Sequence, residues 1–165
     1  MPNGLEHIVG QSELIYIGLA NSRFYRSPEL SFDVADAEKY TSQSLLTDPS
    51  FEEEDSSVSA LIRCRLWAAP SADIEESTHD EFFESSGLRI EAVYVVAFEV
   101  TELEDISEIN LTKFFSSIGL MTVWPYFRSH CSRVSSDAAI ILPPLPLKKA
   151  TFPMSEKDYK LVQAE

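Results

Sequence analysis

Glycine, cysteine, histidine and basic charge are all scarce in this 165-residue chain, and each scarcity removes a class of chemistry. Only five glycines occur, widely spaced, so no Gly-rich loop can cradle a phosphate with its backbone N–H groups. The histidines His7, His79 and His130 lie far apart, and the two cysteines, Cys64 and Cys131, form no C-x-x-C pair. No metal-ligand spacing results, so neither a metal nor another cofactor is expected. His130 adjoins Cys131, yet neighbours on a helix project about 100° apart and cannot serve as nucleophile and base together. Carboxylates are plentiful but badly placed for acid–base work. Glu91 and Glu99 would lie about 26 Å apart on one strand, too far to act on a single bond. The chemistry of an enzyme is missing, and a binding role is expected instead.

Lysine and arginine number 13 against 27 acidic residues, for a net charge of −14. Such a surface repels phosphate backbones and anionic headgroups, so nucleic acid and membrane surfaces are not expected as partners. No apolar run approaches the ~20 residues that span a bilayer. The first residues carry no basic-then-apolar leader, and the expected location is cytoplasmic.

What the chain does have is hydrophobic and aromatic weight: 44% apolar residues, with ten Phe, six Tyr and two Trp. That suits one domain, 1–165, with a real core. Residues 13–25, "ELIYIGLANSRFY", read as a strand, with Leu14 and Tyr16 on one face and a bulge marked by Gly18. Residues 39–48 are a weaker second strand. "VSALIRCRLWAA", 58–69, alternates cleanly, with Val58, Ala60, Ile62, Cys64 and Leu66 on one side. "LRIEAVYVVAFEV", 88–100, alternates too. Leu88, Ile90, Ala92, Tyr94, Val96 and Phe98 face the core, opposite Arg89, Glu91, Val93, Val95, Ala97 and Glu99. That second face is apolar in its middle, unlike a face left to water. The polar stretch 70–87 reads as a long connection.

After residue 101 the period changes to that of helices. Residues 107–119 predict a short helix capped by Ser107, and 120–136 a longer one with an apolar stripe through Val123, Trp124, Phe127, Cys131 and Val134. Pro125 predicts that this second helix starts near Trp124, because proline is tolerated in a first turn. The run 140–147, "IILPPLPL", reads as an extended packed connector, and 154–163 as a last short helix. Strands followed by helices give an α+β domain, an antiparallel sheet with helices on one face.

Four stretches together resemble the SecB export chaperone and its SecB-like relatives: "LIYIGLANSRFYRSPE", "VSALIRCRLWAA", "LRIEAVYVVAFEV" and "LMTVWPYFRSHCSRVSSDAAIILPPLPL". The resemblance spans roughly residues 12–147. It implies a four-stranded antiparallel sheet with two C-terminal helices, assembly as a dimer or a dimer of dimers, and the holding of non-native polypeptides in apolar grooves without a nucleotide. It implies two partners besides unfolded or preprotein clients: the motor SecA, which the export member docks on an acidic sheet face, or an antitoxin for relatives dedicated to one client. Glu91 matches the sheet glutamate used for SecA docking, while Arg89 stands where that family has an apolar residue. The extended loop at 70–87 and the C-terminal "KLVQAE" depart from the export member.

On this reading the protein is an ATP-independent holdase, with Trp67, Val93 and Val95 on the outer sheet face and Tyr126 and Phe127 near the helix start supplying apolar surface. Glu91 is the expected partner-docking residue. The alternatives are an adaptor for one dedicated partner, and a small-molecule site in a cavity lined by Tyr94, Glu91 and His130.

Overall fold

A computed structural model describes residues 8–28, 40–52, 56–68, 79–101, 107–142 and 145. The helix expected at 154–163 lies outside the described residues. Four strands form one antiparallel sheet: β1 (Ser12–Arg26), β2 (Tyr40–Glu52), β3 (Ser57–Ala68) and β4 (Leu88–Val100), in the order β1–β4–β3–β2. Side chains are described for β1, β3 and β4.

The alternation in β3 and β4 is what the register uses. Val58, Ala60, Ile62, Cys64 and Leu66 pair with Phe98, Val96, Tyr94, Ala92 and Ile90, and all ten are buried on one face. β1 departs from simple alternation. Its register shifts between Leu14 and Tyr16 and again between Leu19 and Asn21, so Leu14 opposes inward Phe98 whereas Tyr16 opposes outward Ala97. The expectation that Leu14 and Tyr16 share a face is thereby corrected: the residue inserted between them turns the strand over. Gly18 itself pairs regularly with Val95. Its missing side chain makes room for the Tyr16 ring, whose Oη lies against the position a Cβ would take.

The polar connection contains α1 (His79–Ser85), a helix the sequence pattern did not predict. Seven residues cannot hold a helix in water by themselves. Phe83 supplies the tertiary anchor, fully buried and set edge-on to Trp67 at 5.9 Å between ring centroids.

The two expected helices are joined end to end. α2 (Glu108–Phe114) starts at Ser107, whose hydroxyl accepts from the Asn110 N–H, as expected of the cap. A π turn at Phe115–Gly119 follows directly, and α3 (Leu120–Asp137) continues from it. Pro125 therefore sits inside the helical stretch rather than in a first turn, correcting that expectation. The carbonyl that loses its N–H partner belongs to Met121, and both residues face outward, where water can substitute. Val123, Trp124, Phe127 and Cys131 bury the predicted stripe against the inner sheet face. Phe98, Phe114 and Phe115 form a ring cluster with centroids 4.9 to 6.1 Å apart. Ile140 is buried and Leu142 and Leu145 pack on the core, but Ile141 is 70% exposed.

Candidate functional site

The outer face of the sheet is a set of cross-strand rows, because directly paired residues in an antiparallel sheet share a face. Along β4 the first row is Tyr25–Arg89–Trp67, followed by Arg23–Glu91–Arg65 and Asn21–Val93–Arg63. Then come Gly18–Val95–Leu61, Tyr16–Ala97–Ser59 and Glu13–Glu99–Ser57. Successive rows are about 6.8 Å apart. The face is thus graded, from arginine-rich and aromatic, through apolar, to acidic.

α1 covers the arginine end. The Arg65 and Arg23 guanidinium groups lie over the Phe83 ring at 4.7 and 5.1 Å, a cation–π arrangement. Glu91 is buried between them, accepting from Arg65 Nε at 2.6 Å and from Arg23 Nε at 2.8 Å. Glu84 on α1 accepts from Arg23 at 2.8 Å and pairs with Arg89 at 3.0 Å, while Arg89 stacks on Tyr25 at 4.2 Å. Burial by itself would push the Glu91 pKa up. The hydrogen bonds from Arg65 and Arg23 outweigh it and hold the carboxyl below the usual range.

Beyond α1 the face opens. Val93, Val95, Ala97 and Leu61 are half-buried, and Tyr16 is 55% exposed. At the far end Glu13 and Glu99 are exposed directly opposite each other. The strand carrying Tyr16 is also the sheet edge. Leu14, Ile15, Leu19, Phe24 and Tyr25 are exposed along it as well.

The inner side has a second recess. Ile17 and Leu19 of β1, Tyr94 of β4 and Tyr126, His130 and Arg133 of α3 line an open cleft of about 290 Å³. Burial, and then the charge of Arg133, hold His130 below its ordinary pKa. Burial, with a smaller push from Cys64, raises the Cys131 thiol to about 12, so it stays protonated as a core group. Glu91 is on the opposite face of the sheet, so the combination of Tyr94, Glu91 and His130 around one cavity is not assembled.

The candidate residues therefore separate. Val93 and Val95 lie together on the open outer face, and Tyr126 is exposed on the other layer, at the cleft. Trp67 is 2% exposed beneath Phe83, and Phe127 is fully buried among the helix and inner-sheet residues, which corrects the expectation that they supply accessible surface. Glu91 is corrected too: its oxygens are taken by arginines of its own sheet, and the face around it is arginine-rich where the resemblance implied an acidic one. The sequence pattern missed the ladder of Arg23, Arg63, Arg65 and Arg89 and the α1 residue Phe83. Alternation already put Arg63, Arg65 and Glu91 on outer faces. Only the register between β3 and β4 brings them together, and no tight turn fixes that register.

No helix among the described residues is long and apolar enough to cross a membrane. No protein-family model matches the sequence, and no curated protein matches it. Among solved structures, the Mycobacterium tuberculosis SecB-like chaperone Rv1957, in complex with a ChAD peptide from the Rv1956 HigA1 antitoxin, matches with a TM-score of 0.62 at 15% sequence identity. The match covers 88% of this chain and 94% of that one. Over most of its length, then, this chain shares its fold with that SecB-like chaperone.

Proposed function

We propose that this protein is an ATP-independent chaperone that holds non-native polypeptide segments on apolar surface, acting in the cytoplasm as a homo-oligomer and without catalytic chemistry. The observation that carries the reading is the apolar surface left open on a SecB-like sheet: the Val93–Val95–Ala97 strip and the exposed side chains of β1. An extended foreign segment burying such surface gains about 25 cal/mol per Å², before its ordering costs are subtracted. Contacts of this kind recognise apolar side chains without reading a sequence, as a holdase requires.

A second reading, a chaperone dedicated to one partner such as an antitoxin, is favoured by the antitoxin peptide bound to the structurally similar Rv1957. It is favoured also by the state of Glu91, whose two carboxylate oxygens are already engaged by Arg23 and Arg65 of its own sheet. Export through SecA is the weaker branch for the same reason.

The test is light scattering from a chemically denatured client diluted into buffer without nucleotide. Suppression at a few-fold excess of this protein supports the general holdase, and Val95→Asp is expected to weaken it several-fold. A single stoichiometric partner in a pull-down, with denatured model clients aggregating normally, supports the dedicated chaperone. Neither activity would remove both.

A further inference from the structure

The outer face carries an unequal distribution of charge that polypeptide binding in general does not require. Arg63 stands where the arginine ladder meets the apolar strip, and its side chain is 38% exposed. Its nearest carboxylate oxygen is Glu91 Oε2 at 3.9 Å, and that oxygen already receives Arg65 at 2.6 Å. Arg63 Nε has no hydrogen-bond partner. Over the next two rows along β4 the strip runs through Val95 and Ala97, and one row beyond that Glu13 and Glu99 face each other with like charge. The Arg63 row and the Glu13–Glu99 row are therefore about 20 Å apart, the length of six residues of extended chain.

We propose that this face seats an extended, bipolar polypeptide segment: an acidic residue over Arg63, apolar residues two and four positions on over Val95 and Ala97, and a basic residue six positions on between Glu13 and Glu99. The inference rests on the polypeptide-binding reading above and adds the charge pattern and orientation of the bound segment. Each end answers an unmet electrostatic need. Arg63 gains a carboxylate beside the exposed part of its guanidinium, and the facing glutamates gain a cation that relieves their repulsion.

The experiment is a fluorescence-anisotropy titration of the full-length protein with three labelled heptapeptides of the same apolar content. One has an acidic first and a basic seventh residue, one is acidic at both ends, and one is basic at both. The bipolar peptide is expected to bind roughly five- to tenfold tighter than either other, since an exposed ion pair is worth up to about fivefold. That preference should collapse above roughly 0.5 M salt, where charges a few ångströms apart are screened. Arg63→Gln is expected to erase the advantage over the doubly basic peptide, and the double variant Glu13→Gln/Glu99→Gln the advantage over the doubly acidic one, with thermal melts confirming that both variants fold. Equal affinity for all three peptides, with a denatured client still held, overturns the bipolar seat and leaves the chaperone reading intact. Loss of peptide binding and client holding together overturns both. A drop in oligomer mass in Arg63→Gln, with peptide binding unchanged, assigns the face to a second copy and also overturns the proposal.

Discussion

Glu91 shows how one side chain can look like a docking point in the sequence and act as a structural rivet in the fold. Its carboxylate is buried and joins three strands' worth of outer face through Arg23 and Arg65. Its pKa is lowered in the folded state, because the arginine hydrogen bonds outweigh burial. The unfolded chain then takes up the proton first as pH falls. The stabilisation is present above the ordinary glutamate pKa of about 4.3 and is lost as pH drops through the lower, folded value. Removing the charge leaves the buried Arg65 guanidinium facing a neutral amide in place of the carboxylate. Glu91→Gln is therefore expected to cost about 3 kcal/mol at pH 7, the scale of breaking a buried pair. It should also flatten the pH dependence of stability below about pH 4.5. Urea titrations of both proteins at pH 7 and pH 3.5 measure this, and a variant as stable as the parent at pH 7 would contradict the rivet. The sequence made Glu91 visible as an outward residue on β4, but its neighbours across the sheet come from β1 and β3, and no local pattern encodes those distances.

The elements were legible where one period holds and obscure where two meet. β3 and β4 show an unbroken alternation of two, and their inner faces fall as expected. β1 mixes inserted residues with alternation, so its facing could not be read beyond the first shift. The helical part was readable as two stripes but not as one rod, because the π turn changes the angular phase between Phe115 and Leu120 without changing composition. α1 was hidden because its anchor among the described side chains is Phe83, packed on Trp67 of β3. Two substitutions test these element ends with opposite sign. Ala139 follows α3 at φ 53, where the Ile140 N–H reaches back to the Ser135 carbonyl at 2.8 Å and the Ala139 N–H to that of Ser136 at 3.1 Å. That closing motif ordinarily takes glycine, so Ala139→Gly is expected to stabilise by about 1 kcal/mol. Gly119 has ordinary helical angles, and alanine would normally help there. A Cβ would sit 2.8 Å from the Phe115 ring and 3.0 Å from the Ile62 Cδ1. Gly119→Ala is therefore expected to destabilise by about 1–2 kcal/mol through overpacking. Chemical denaturation midpoints read both, and two shifts of the same sign would refute the account.

At the scale of the whole molecule, the long edge strand sets the expectation. β1 has fifteen residues and leaves Leu14, Ile15, Tyr16, Leu19, Phe24 and Tyr25 exposed at the end of the sheet. An apolar edge of this length invites pairing unless another chain covers it. Light scattering is expected to find an oligomer at micromolar concentration, and Leu19→Lys to shift it toward monomer, because a lysine on this edge opposes strand addition. A monomeric parent protein at high concentration would remove the assembly. The graded outer face then remains accessible on the other side of each sheet, and α1 gives it an unusual property. A short helix clamped across one end closes the face on that side rather than leaving it open at both ends. A segment seated along β4 as proposed would meet α1 at that end, so the host itself would limit how far the segment can slide toward the arginine rows.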